Sequence, residues 1–133
     1  MRRPRYPAST ILRAGGVDPI AACSACGLDD ADRVAVRTAP PWLVKAWRGP
    51  VAAMTLPWAI YVRPDVLTGD RRRLAQLLIH EMVHMRQWRR LGTLGFTSQY
   101  VRGYVSGRRN GLDHHQAYLS IPLEGEAREI AGH

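Results

Sequence analysis

Cysteine is scarce in this chain: Cys23 and Cys26 are the only two. One Cys-x-x-Cys pair cannot supply the four ligands of a structural zinc site without partners elsewhere, so two ordinary thiols in a loop are expected. Long apolar runs are missing as well. A membrane helix needs roughly 20 uninterrupted apolar residues. Arg, Asp, Gly or Pro breaks every candidate, which argues against a spanning helix. No export signal is legible either. Met1-Arg2-Arg3-Pro4-Arg5 is basic like the start of a signal peptide, but Arg13 and Asp18 interrupt the apolar core that should follow. A cytoplasmic location is therefore the expectation.

Lysine is almost absent too, so nearly all of the positive charge is arginine, scattered as Arg71-Arg72-Arg73, Arg89-Arg90 and Arg108-Arg109. Nineteen basic against eleven acidic residues give a formal charge of +8, which attracts acidic partners, nucleic acid or anionic lipid surfaces. No nucleic-acid module surrounds these arginines, so nucleic acid is not the expected partner. The chain holds no internal repeat and no low-complexity tract.

At 133 residues, with 46% hydrophobic and 23% charged residues, the chain suits one small globular domain that needs no disulfides to bury a core. Residues 1–30 carry Pro4, Pro7, Gly15, Gly16, Pro19 and Gly27, and this punctuation predicts an irregular N-terminal arm with at most a short helical turn near Ile20. The domain proper is expected over residues 31–133.

Strands are predicted over residues 33–37, 52–56 and 59–63, the last two separated by Pro57. The stretch Trp42 to Trp47 fits either strand or helix. From about residue 70 to 91 there is no Gly or Pro, and Leu74, Leu77, Leu78, Met82, Val83, Met85 and Trp88 recur at helical intervals. Gly92 should stop that helix, with a second over residues 95–106 and a basic loop over 107–113. Two short helices are expected at the end, from His114 and from Pro122. The fold class is thus α+β.

Within the strongest helix lies His80-Glu81-Met82-Val83-His84. Four residues advance a helix by about 400°, so both imidazoles leave one face a turn apart and can reach one metal ion. Imidazole nitrogen suits zinc, and a catalytic zinc keeps three protein ligands and one water. Glu81 stands beside the open position, where a carboxylate can take a proton from water and return it to a leaving amine. The expected cofactor is one zinc ion per chain, with His80 and His84 as ligands.

A third ligand is needed, and no His-x-x-Gly-x-x-His follows His84, which removes the metzincin pattern. Glu124 and Glu126 are the later candidates. They lie about 200° apart on a helix, so both cannot face one metal. In Ile121-Pro122-Leu123-Glu124-Gly125-Glu126-Ala127-Arg128 the chain resembles the gluzincin metallopeptidases, whose second metal helix carries Glu-x-x-Ala/Ser-Asp. Glu124, Ala127 and Arg128 occupy those positions, and the whole looks most like the minimal gluzincins over roughly residues 50–131. The first fifty residues carry no resemblance.

The resemblance implies a small zincin-like domain: a short β-sheet, an HExxH active-site helix and a C-terminal helix carrying the glutamate ligand, Glu124. Small Ala127 would let the two helices approach closely. Arg128 departs from the family aspartate, so Asp113 or a backbone carbonyl would have to support a ligand histidine. The family holds an extended peptide on the edge strand before the motif helix, here residues 52–56 or 59–63. It also supplies a Tyr or His to the developing oxyanion, for which Tyr118, His115 and His114 are candidates, while Tyr100 and Tyr104 suit the core.

The expected function is a zinc-dependent peptidase acting on peptide or protein substrates, with Glu81 as general base. The alternative is a non-catalytic binding or regulatory domain that keeps zinc for structure and meets an acidic partner with its basic surface. The N-terminal arm with Cys23 is a candidate inhibitory segment for the cleft.

Overall fold

A computed structural model describes residues 5–47 and 51–132. In chain order the elements are β1 (Arg5–Pro7), α1 (Ala8–Ala14), α2 (Pro19–Cys26), a single 3-10 turn (Ala31–Arg33), β2 (Ala35–Thr38), α3 (Pro41–Ala46), β3 (Ala53–Leu56) and β4 (Ala59–Val62). Then follow α4 (Pro64–Leu67), α5 (Arg71–Arg109), α6 (His114–Ser120) and α7 (Pro122–Ala131). The class is α+β, as expected.

The sheet runs in the order β1-β2-β4-β3. β3 and β4 form an antiparallel hairpin across Pro57 and Trp58, with Thr55 opposite Ile60. β2 lies parallel to β4 and antiparallel to β1. A parallel pair needs a crossover, and α3 lies within it, which settles the ambiguous Trp42 segment as helix. β1 and β3 are the two edges of the sheet.

α5 opens on Asp70, whose side chain accepts from Arg73 N at 2.9 Å, one of the donors a helix start leaves unpaired. Its regularity ends at Gly92, where φ is 73° and ψ is 172°. A side chain at that φ would strain the backbone, so glycine allows the chain to turn and start a second helical stretch over 93–109. That stretch passes Ser106 and takes in the first part of the expected basic loop. α6 is capped by Asp113, whose carboxylate accepts from Gln116 N while Gln116 Oε1 accepts from Asp113 N.

Residues 5–30 correct the expectation of an irregular arm there; residues 1–4 of that expected arm lie outside the described residues. α1 and α2 bury Ala8, Leu12, Ala22, Cys23 and Cys26 in the main core, beside Val36, Ile60 and Val62 of the sheet and Leu78, Met82 and Met85 of α5. The proline and glycine that suggest irregularity instead punctuate helix ends: Asp18 caps α2, Pro19 starts it, and Gly27 ends it with φ 76°. The cysteines sit on a helix and not in a loop, and a segment this deep in the core is no strap across a cleft.

A second core forms where the later part of α5 meets α6 and α7, around Phe96, Ile121 and Leu123. Phe96 stacks on Trp88 with ring centroids 3.9 Å apart. Gly107 allows the close approach, because a Cβ there would fall 3.0 Å from Ala117 Cα. Among the described residues, no helix is long and apolar enough to cross a membrane.

Candidate metal centre

α5 presents His80 and His84 from one face, as their spacing requires, with ring centroids 5.1 Å apart. α7 packs across that face and brings Glu124 between them. Glu124 Oε2 lies 2.9 Å from His80 Nε2, and Glu124 Oε1 lies 2.9 Å from His84 Nε2. All three residues are buried, and their ligand atoms lie within 4.8 Å of one another, close enough to hold one metal ion.

The donor set fits zinc: two imidazole nitrogens and one carboxylate are the ligand types of a three-residue catalytic site. His84 strengthens the fit. Its Nδ1 is 2.8 Å from Gln87 Oε1, and the Gln87 amide nitrogen donates to Leu123 O at 3.0 Å and Glu126 Oε1 at 3.1 Å. With its nitrogen so occupied, Gln87 turns its oxygen to His84, so in the neutral ring His84 Nδ1 carries the proton and Nε2 the lone pair. That buried Nε2 has the distance to Glu124 but not the direction of a hydrogen bond, and among the described residues it has no hydrogen-bond partner. A buried lone pair of this kind is what a metal ion satisfies.

Electrostatics follow from the crowding. Burial works to raise the Glu124 carboxyl, but the His80 and His84 imidazoles and the Tyr100 hydroxyl hold it below the usual carboxylate range. Burial works to lower the His84 imidazole, yet the Glu124 and Glu81 carboxylates lift it to about 8. For Glu81 burial prevails and raises the carboxyl, against the pull of His84, Thr55 and His80. Thr55 Oγ1 donates to Glu81 Oε2 at 2.6 Å, and Trp88 Nε1 donates to Thr55 O at 2.9 Å, so β3 is fastened to α5 at the site.

The structure brings His80, Glu81, His84 and Glu124 together. It turns Glu126 away, to Gln87. Tyr118 also lies near the cluster: burial, followed by the charges of Glu124 and Glu81, raises its pKa. His115 is exposed, and among the described residues no hydrogen bond ties it to the cluster, because α6 turns that position to solvent. His114 Nδ1 lies instead 2.7 Å from Tyr104 Oη. Asp113 is spent on capping α6.

Two site residues escape sequence reasoning. Gln87 supplies the support for a ligand histidine that Asp113 or a backbone carbonyl was expected to give. Tyr100, expected in the core, donates to Glu124 Oε1 at 2.8 Å. Gln87 lies three residues after His84 on the same helical face, which is a usable signal. Arg128 donates from Nη2 to Leu119 O at 2.6 Å and so ties α7 to α6. Ala127 is fully buried against α5, as expected of a small residue between helices.

Comparison of the chain with protein-family models, with curated proteins and with solved structures finds no match.

Proposed function

We propose that this protein is a zinc-dependent peptidase of the gluzincin type, with a zincin-like fold. The observation that carries the reading is the buried His80–His84–Glu124 cluster with the Glu81 carboxylate beside it. A zinc ion held by these three residues would supply Lewis acidity and lower the pKa of water to roughly 7. Glu81 takes the proton from the attacking water and passes it to the leaving amine. A raised carboxyl serves that exchange, because a base of higher pKa accepts a proton more readily. Thr55 keeps the carboxylate from swinging away.

β3 suits the binding of an extended peptide. It is an edge strand, among the described residues Ala53–Leu56 pair with β4 alone, and Thr55 links it directly to Glu81. A peptide added along this edge would lay its backbone beside the cluster, with affinity coming from main-chain hydrogen bonds. Tyr118 is the donor suited to the carbonyl oxygen as negative charge develops there, since it lies close enough to feel the Glu124 and Glu81 charges and its side chain stays partly exposed.

The test is hydrolysis of a diverse peptide mixture by the purified protein and by Glu81→Gln, followed by mass spectrometry. The reading expects cleavage by the wild type and its loss in the variant at equal zinc content. Zinc in both without cleavage by either would favour the non-catalytic binding domain.

A further inference from the structure

Between Met82 and Leu112 the chain has no carboxylate side chain, while Arg86, Arg89, Arg90, Arg102, Arg108 and Arg109 fall within it, all exposed. The stretch of α5 after Gly92 has two apolar faces. One, with Phe96, Tyr100 and Gly107, is turned to α6, α7 and the metal cluster. The other carries Leu94, Val101 and Val105, which are 87%, 52% and 38% exposed. At about 100° per residue these three fall within about 40° of one another, on the side away from Phe96. Arg102 and Arg109 flank the stripe about 60–80° round the helix, and Arg108 borders its other side.

An aliphatic stripe bordered by arginines, on a helical stretch (93–109) with no acidic residue, has the chemistry of a helix lying in the plane of a bilayer. Aliphatic side chains enter the acyl boundary and guanidiniums meet phosphates. We propose that the outer face of α5, residues 93–109, docks on an anionic lipid surface. The placing goes beyond peptide hydrolysis and does not depend on it. Nucleic acid offers the same phosphates but no apolar phase for Leu94, Val101 and Val105, and the stripe has no aromatic ring for base stacking. A second copy of the chain would bring another +8 of like charge.

Co-sedimentation of the full chain with vesicles tests the proposal, using phosphatidylcholine alone and phosphatidylcholine mixed with phosphatidylglycerol. Binding is expected to the anionic vesicles only, and it should weaken as salt is raised. The triple variant Leu94→Gln/Val101→Gln/Val105→Gln should bind about tenfold more weakly or worse. Arg102→Gln/Arg109→Gln should bind more weakly too, with less dependence on salt. All these positions are exposed, and circular dichroism matching the wild type verifies the fold. No binding to anionic vesicles overturns the proposal. So does a triple variant that binds like the wild type, which with tight duplex DNA binding would assign the arginines to nucleic acid.

Discussion

Gln87 Oε1 lies 2.8 Å from His84 Nδ1, and through its own amide nitrogen Gln87 is held by α7, the helix that carries Glu124. One side chain thus sets the tautomer of a histidine on α5 and locks α5 to the helix of the third ligand. It is fully buried, so its bonds face little competition from water.

Replacing Gln87 by Leu should leave His84 free to rotate or change tautomer. Loss of such support typically lowers metal affinity about 10- to 100-fold. Competition with a chromophoric chelator would measure it, and unchanged affinity would mean that Gln87 serves packing alone.

Tyr100 donates to Glu124 from the inner face of α5. Tyr100→Phe removes that donor, so stability is expected to fall by about 1 kcal/mol, with weaker zinc binding. Tyr118→Phe should instead lower kcat while leaving zinc content unchanged. Equal effects of the two variants on kcat and zinc would contradict this division of roles.

A larger side chain at Gly107 meets the α6 backbone at Ala117 and the Ser120 hydroxyl. Gly107→Val should destabilise by about 1–3 kcal/mol, as overpacking does, and chemical denaturation would read it. A neutral result would show that α6 can retreat from α5.

The Cys26 thiol is pushed up to about 12 by burial, and Cys23 is raised as well, by burial and by the charge of Asp30. A folded pKa above the unfolded value means the native state holds its proton more tightly. For Cys26 that contribution to stability is complete below about pH 9 and is lost as pH rises toward 12. The native protein should resist thiol alkylation at pH 8 and react fully once unfolded. Rapid alkylation of the native protein would contradict burial of the pair.

The site was legible where chemistry fixes the spacing. Residues 80 and 84 must share a helical face to bind one metal, and the helix around them had no competing signal. The choice between Glu124 and Glu126 was not legible from the two residues themselves, since either can face the metal if the helix rotates. The packing of Leu123 and Ala127 fixes that rotation and turns Glu124 inward. Gln87 carried a signal in its spacing from His84, whereas Tyr100 escaped because its role depends on helices brought together only in the folded chain. The start of the chain misled for a local reason: Pro19 and Gly27 mark the two ends of an eight-residue helix, and such marks look alike in an ordered segment and a loose one.

The central claim is tested most directly by zinc titration calorimetry on the metal-stripped wild type, Glu124→Gln and Glu126→Gln. The account expects one zinc per chain in the wild type, near-wild-type binding in Glu126→Gln and strongly weakened binding in Glu124→Gln. Wild-type affinity in Glu124→Gln, or no zinc uptake by the wild type, would contradict it.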